Sequence, residues 1–226
     1  MPDSLMSNSR GESADIIRHE IAIGAARLIA QCGLDYGSAK RKAAAEIVGK
    51  RRVPDNFLPD NDAIEDEVRA YQQLFQQDSQ PARLASLRRT ALELMKFLGE
   101  FSPYLTGAAL NGTAGEYSGI CLEVFVDSAK DLEIFLLNHR VRFEAHEAAR
   151  TKGRPAVFEP FEALTFVWER SQGAGREGVQ LTVYETTALR GALSGSRGRD
   201  RADIAGVELL LAAAVQTPVS SPGQAG

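Results

Sequence analysis

Residues 104–126 constrain the fold more than any other part of this sequence. Tyr104–Thr106 is predicted as a short strand, and Gly107 directly after it permits a sharp turn into a short helix. Gly112, near the end of that helix, permits a left-handed stop. Ile120–Val126 then alternates its side chains with the period of two that is typical of a strand. The segment therefore predicts a strand, a short helix and a second strand in close succession.

The residues before Gly99 have a different pattern, with apolar side chains at helical spacing. Ser13 is the predicted N-cap of the first helix and Ser79 that of the fourth. We predict four helices, over residues 14–32, 37–49, 61–77 and from 80 onward. The fourth carries one apolar stripe, made of Leu84, Leu87, Ala91, Leu94, Met95 and Leu98. The first hundred residues are therefore predicted to be all-helical.

Beyond Gly99 the pattern favours strands separated by turns. We predict further strands over residues 141–145, 156–158, 164–168 and 179–184, and helices over 131–138 and 201–214. The fold class is α+β, with an N-terminal helical region followed by a mixed or antiparallel sheet with helices. The predicted segments are a disordered tail (1–13), a helical region (14–99), an α+β domain (100–215) and a second disordered tail (216–226).

Composition sets limits on location and partners. The 226 residues include 26 basic and 30 acidic side chains, so no overall field favours nucleic acid or an anionic membrane. Cys32 and Cys121 lack metal-ligand spacing and cannot form a disulfide framework. No apolar run approaches the roughly 18 residues that a membrane helix needs. We therefore expect a cytoplasmic protein with no membrane segment.

Residues 106–125 resemble the minimal nucleotidyltransferase signature. That signature has Gly-Ser, a helix ending in Gly-Thr-Ala, three variable residues, and Ser-Asp-X-Asp opening an apolar strand. The residues in register with it, without a gap, are Gly107, Gly112, Thr113, Ala114, Ser118 and Ile120. More loosely, the whole chain resembles a bacterial nucleotidyltransferase-like family with a helical N-terminal half. Residues 39–44, 71–75 and 79–84 carry that wider resemblance.

The resemblance implies a mixed sheet and a site for nucleotide phosphates at the turn after the first strand. The nucleotide-binding residues that it implies are Gly107, Ala108, Gly112, Thr113 and Ser118. It also implies two aspartates that bind Mg²⁺ on the next strand, where the period of two puts both on one face. Here Ala108 stands where the signature has serine, and Gly119 and Cys121 stand where it has aspartates.

Glu123 is the remaining carboxylate on that face of the strand and is the candidate catalytic or metal-binding residue. A salt-bridged glutamate is the alternative interpretation. A third acid is expected from residues 179–184, but Gln180 and Thr182 occupy the polar positions there, and Glu185 lies past the predicted strand and out of alternation. We therefore expect no metal cofactor, with Mg²⁺ bound only if the site is active.

Two groups of basic residues are candidate contacts for nucleic-acid phosphates. Residues 40–42 and 50–52 lie toward opposite ends of the second predicted helix, and Arg197, Arg199 and Arg201 lie in a loop rich in glycine and serine. Acidic residues at 60, 62 and 65–67 follow the first group, which favours a solvated helix surface instead.

The sequence therefore predicts a catalytically degenerate nucleotidyltransferase-like protein that binds a nucleotide, a nucleic acid or a protein partner. One alternative is an active Mg²⁺-dependent nucleotidyltransferase with a metal site rearranged around Glu123. The other is a non-enzymatic scaffold whose helical half binds another protein. Whether the protein is an enzyme stays open at this level.

Overall fold

The computed structural model describes residues 3–49, 54, 57–147, 160, 162–169, 175–189 and 200–216. Within these residues, a helical region precedes a five-stranded mixed sheet with its own helices. The predicted α+β class is therefore confirmed. None of the helices described is both long enough and apolar enough to cross a membrane.

Four helices come first: α1 (Asp3–Cys32), α2 (Tyr36–Val48), α3 (Asn61–Phe75) and α4 (Gln80–Phe97). Asp35 caps α2 and Asp60 caps α3, each accepting a hydrogen bond from a backbone N–H three residues on, at 2.9 and 2.8 Å. The predicted N-cap at Ser13 is wrong, because α1 begins at Asp3 and Ser13 lies inside it. The sequence from Asp3 to Ser13 contains no proline, and its one glycine costs a helix only about 1 kcal/mol.

The sheet region contains the strands β1 (Tyr104–Thr106), β2 (Ile120–Val126), β3 (Phe143–Glu147), β4 (Glu162–Glu169) and β5 (Arg176–Glu185). Its helices are α5 (Gly107–Asn111), α6 (Ala129–Asn138) and α7 (Ile204–Gln216). The predicted strand at 156–158 lies outside the described residues.

Two element starts differ from the predicted ones. β3 begins at Phe143 rather than at residue 141, after a turn in which Arg140 has a φ of 60°. The last helix begins at Ile204 rather than at residue 201, because Ala202 pairs with Leu105 of β1 instead. The Asp203 carboxylate then accepts the Gly206 N–H at 2.8 Å, which caps the start of α7.

The strands lie in the order β1-β2-β5-β4-β3. β2 and β5 are parallel, and the other described pairs are antiparallel. Leu105 and Ala202 exchange two backbone hydrogen bonds, of 2.8 and 3.0 Å, along the outer side of β1. The segment before α7 therefore covers the β1 edge.

One face of this sheet is apolar and packs on helices. Leu122, Val124 and Leu181 are no more than 1% exposed there, in one core with side chains from α4, α6 and α7. We call the opposite side the polar face. The register places on it Tyr104, Thr106, Cys121, Glu123, Ala163, Thr165, Gln180 and Thr182.

The chain divides into two compact units. The helical unit comprises Met1–Ala82 and Gly115–Tyr117, and the sheet unit comprises the rest. The division falls within α4, whereas the change of sequence pattern comes at Gly99. From Arg83 onward α4 belongs with the sheet, since Leu87, Ala91, Leu94 and Met95 are buried in the same core as the strands. The helical unit has a separate core of residues from α1, α2 and α3.

Candidate functional site

The turn between β1 and α5 has the backbone that its glycines predict. Gly107 has a φ of 66° at the start of α5, and Gly112 has a φ of 89° at its end. The N–H groups of Gly112 and Ala114 both donate to the carbonyl of Ala108, at 3.1 Å each. The predicted sharp turn and left-handed stop are therefore both confirmed, and both conformations favour glycine.

The residues that the resemblance implies for nucleotide binding have different surroundings. Gly107 is exposed and adjoins Cys121, since a Cβ at Gly107 would lie 3.6 Å from the Cys121 Cβ. Ala108 is half-buried against the core. Thr113 is 2% exposed and its hydroxyl donates to Asn111 Oδ1 at 2.7 Å, so that hydroxyl is committed to the fold. Ser118 is half-buried, and its carbonyl accepts a hydrogen bond from Arg83 at 3.0 Å.

Arg88 of α4 forms hydrogen bonds with the backbone of α5. Its Nε donates to the Ala109 carbonyl at 2.8 Å and its Nη2 to the Leu110 carbonyl at 3.0 Å. Carbonyls in the last turn of a helix have no partner within the helix, and a guanidinium satisfies them well. Burial lowers the pKa of Arg88. No local sequence pattern indicates this role, because the contacts join residues 21 and 22 positions apart.

The middle of the polar face is poor in acids. Cys121 lies between Thr106 and Gln180 in the register, and Glu123 lies between Tyr104 and Thr182. Glu185 is the last residue of β5, not a residue beyond the strand as predicted, and it lies opposite Val126. The side chain of Glu185 therefore lies on the opposite face of the sheet from Glu123, and β5 supplies no second acid beside Glu123.

Gly119 lies where the signature has its first metal-binding aspartate, and the backbone leaves no space there. A Cβ at Gly119 would lie 2.6 Å from the carbonyl oxygen of Gly178. This contact is with backbone rather than with a flexible side chain, so a side chain at Gly119 requires the strands to shift.

Glu123 forms an ion pair with Arg201, in which Arg201 Nε donates to Glu123 Oε2. The two side chains are only 14% and 6% exposed, respectively. Ala202 fixes the position of the segment that carries Arg201, through its two backbone hydrogen bonds to Leu105. Arg201 is therefore not presented to solvent as a nucleic-acid contact, which corrects the prediction for this loop. Arg197 and Arg199 lie outside the described residues.

These side chains do not fit a magnesium site. Mg²⁺ requires hard oxygen ligands in near-octahedral geometry. The described residues offer a thiol at Cys121, whose pKa burial raises, and a carboxylate at Glu123 that already holds a cation. Among the residues that the structure describes, no three of the His, Cys, Asp and Glu side chains are grouped as metal ligands would be.

The other predicted basic surface is only partly described. Lys40 is half-buried on α2, and burial lowers its pKa. Arg41 is exposed and donates to Ser38 Oγ at 3.1 Å. Residues 50–52 lie outside the described part of the chain.

Comparison with known proteins gives no match: no family model, no curated protein and no solved structure is significantly similar to this chain. The nucleotidyltransferase resemblance therefore rests on the signature in residues 106–125 and on the looser pattern around it.

Proposed function

We propose that this protein is a catalytically degenerate nucleotidyltransferase-like protein that binds a nucleotide without a metal ion. The observation that carries the proposal is the Glu123–Arg201 ion pair on the polar face. Two-metal phosphoryl transfer needs carboxylates that are free to bind metal. Here the one acid in the middle of that face is neutralised by a guanidinium from its own chain.

The turn at Gly107, at the start of α5, is the proposed binding site for the nucleotide phosphates. The first N–H groups of a helix have no partner within the helix and attract phosphate oxygens. Thr106, the N-cap of α5, makes no side-chain capping bond. Gly107 is exposed at this point, and we expect a phosphate to approach the backbone N–H groups of Gly107 and Ala108 there. This mode of binding uses backbone donors and needs no cation to bridge protein and phosphate.

The arrangement of the strands also supports the resemblance. β1 leads directly into α5, and β2 has the parallel strand β5 beside it, in the position from which the family would supply its third acid. The order of strand, turn and strand around the signature is as the resemblance implies. Gly119 and Cys121 stand in place of its two aspartates, and the polar positions of β5 carry Gln180 and Thr182 instead of a third acid.

Calorimetric titration with ATP, GTP, CTP and UTP, in Mg²⁺ and in EDTA, tests the proposal. We expect at least one nucleotide to bind with the same affinity in both buffers. Ala108→Ser, which introduces the signature hydroxyl at the turn, should tighten binding about threefold to tenfold through one added hydrogen bond to phosphate. Ala212→Ser, at an exposed position of α7, is the matched control and should leave affinity unchanged.

Two outcomes contradict the proposal. Binding that requires Mg²⁺, and that loses this requirement in Glu123→Gln, would instead support the active enzyme with a rearranged site. Absence of heat for every nucleotide would contradict nucleotide binding altogether. In that case the scaffold role is favoured.

One observation in the helical unit supports this scaffold role as a second candidate function. Leu74 and Phe75, at the end of α3, are 72% and 69% exposed. The centre of the Phe75 ring lies 4.7 Å from the centre of the Tyr71 ring. Exposed apolar surface of this kind is typical of sites that bind another protein.

A further inference from the structure

The two edges of the five-stranded sheet differ. At one edge the chain covers β1 with its own backbone, through the two hydrogen bonds between Leu105 and Ala202. At the other edge β3 pairs with β4 and with no other strand among the described residues. An edge strand has a row of backbone N–H and C=O groups that point away from the sheet and can pair with another strand. The β3 edge is therefore a surface to which a further strand can be added.

The side chains of β3 leave this edge accessible. Phe143 is half-buried, and the four residues that follow it in the strand are exposed. The central residue is Ala145, whose small side chain allows a second backbone to approach closely. Charged side chains on an edge strand usually oppose pairing between copies of a protein. Whether they oppose it at β3 depends on which charges come to lie opposite each other.

Glu144 and His146 are the two polar side chains that decide this. Both lie on the polar face, opposite Thr165 and Ala163 of β4, respectively. The Glu144 side chain is 83% exposed, and its carboxylate lies 3.8 Å from Nε2 of His146, beyond hydrogen-bond distance. Nε2 of His146 lies 3.0 Å from Thr165 Oγ1, and its Nδ1 has no hydrogen-bond partner among the described residues. A carboxylate and an imidazole nitrogen are therefore available at this edge.

Two-fold symmetry makes these two side chains complementary. When two copies of one strand pair antiparallel, residues at equal distances before and after the symmetric centre lie opposite each other. A centre at Ala145 places Glu144 of each copy opposite His146 of the other copy, so the pair forms twice. The same register uses all five residues of β3 and places Phe143 opposite Glu147, so no like charges meet. A centre at Glu144 would instead place two glutamates opposite each other, which is unfavourable.

We propose that β3 binds β3 of a second copy of this protein, so that two sheet units join in one antiparallel, two-fold symmetric sheet. The backbone groups of β3 supply the hydrogen bonds, and Glu144 with His146 fixes the register. Two five-residue strands bury less surface than the roughly 1,200–2,000 Å² of a stable interface, so the dimer is weak and forms only at high concentration. The surface is independent of the nucleotide binding proposed above, because the turn at Gly107 follows β1 at the other edge of the sheet.

Sedimentation equilibrium of the full chain over a wide range of concentrations tests the proposal. We expect a monomer–dimer equilibrium for the wild type. Glu144→Lys places a cation opposite the imidazole, and His146→Glu places two carboxylates opposite each other, so each variant alone should dimerise at least about tenfold more weakly. An equimolar mixture of the two variants should dimerise about as tightly as the wild type. In the mixed dimer each carboxylate of one variant lies opposite a lysine or an imidazole of the other.

A control variant and a folding test complete the experiment. Glu20→Lys, at an exposed position of α1 in the helical unit, makes the same charge change elsewhere and should leave the dissociation constant unchanged. Melting curves of each variant show whether it folds. The proposal is overturned if the wild type stays monomeric at every concentration, if either folded single variant dimerises as tightly as the wild type, or if the mixture stays monomeric.

Discussion

Glu123 and Glu162 lie on opposite faces of the same sheet and meet opposite electrostatic surroundings. Glu123, on the polar face, is held by the guanidinium of Arg201. Glu162 lies opposite Val183 in the register, on the apolar face, with the carboxylate of Glu133 nearby. Burial first, and then the charge of Glu133, raise the pKa of Glu162. The acid on the face that resembles a catalytic centre is thus the one that has an arginine as its partner.

This difference shows that Glu123 has a structural role in the sheet unit rather than the free carboxylate that catalysis requires. A catalytic carboxylate must remain available to metal or substrate, while Glu123 is committed to Arg201 over a distance of 78 residues in sequence. Three substitutions and one thiol modification test how strongly the side chains of each face are held by their surroundings.

The largest effect is expected for Arg201→Met, which leaves Glu123 mostly buried without its cation. Removing one partner of such a pair should lower the free energy of unfolding by about 3 kcal/mol. Urea denaturation at pH 7 measures it. The double variant Glu123→Met with Arg201→Met should recover most of the loss, because no buried charge remains. Equal stability of the single and double variants would show that the unpaired charge of Glu123 is not the cause of the lost stability.

Gly119→Ala should have the next largest effect, since its Cβ would approach the Gly178 carbonyl oxygen to 2.6 Å. Overpacking of this kind costs about 2 kcal/mol. Gly178→Ala is the control, because a Cβ there meets nothing within 4 Å and should cost little. Thermal melting of both variants decides the matter, and equal melting temperatures would mean that β2 and β5 separate easily at this point.

Cys121 tests how closed the polar face is. It is partly buried, and burial raises the pKa of its thiol, whereas Cys32 is exposed. Because the thiolate is the reactive form, iodoacetamide should alkylate Cys121 at least about tenfold more slowly than Cys32 at pH 8. Mass spectrometry on Cys32→Ser and Cys121→Ser follows each thiol separately. Comparable rates would mean that the face opens readily to reagents.

The smallest effect is expected for Glu162→Gln. The pKa of Glu162 is raised above its ordinary value of 4.5 in the folded protein, so folding favours the protonated form. Stability from this group is present below pH 4.5 and is lost as the pH rises through the folded-state pKa. Glu162→Gln should therefore be slightly more stable than the wild type at pH 7, and the difference should shrink toward pH 4. Glu147→Gln, at the exposed residue opposite Glu162, is the control for removing a charge at that edge. A stability difference between Glu162→Gln and the wild type that does not change with pH would contradict the raised pKa of Glu162.

The sequence predicts the local geometry of this unit well, because that geometry depends on neighbouring residues. Gly107 and Gly112 predict the two positive φ angles, and the alternation of Ile120–Val126 predicts which side chains are buried up to Val124. The caps Asp35 and Asp60 likewise lie directly before helices that apolar spacing predicts.

Features that depend on distant residues could not be predicted in the same way. The pairing of Glu123 with Arg201 requires Ala202 to join the β1 edge, and the loop composition around Arg201 indicates only a basic surface. The assignment of most of α4 to the sheet unit depends on which surface its apolar stripe covers, which periodicity does not specify.

The close approach of Gly119 to the Gly178 carbonyl has a consequence for attempts to restore activity. Replacing Cys121 with aspartate changes one side chain, but an aspartate at Gly119 has to displace the backbone of the neighbouring strand. A metal site therefore cannot be rebuilt in this sheet one residue at a time. Any designed revertant must first widen the spacing between β2 and β5, and only then can two acids be placed side by side.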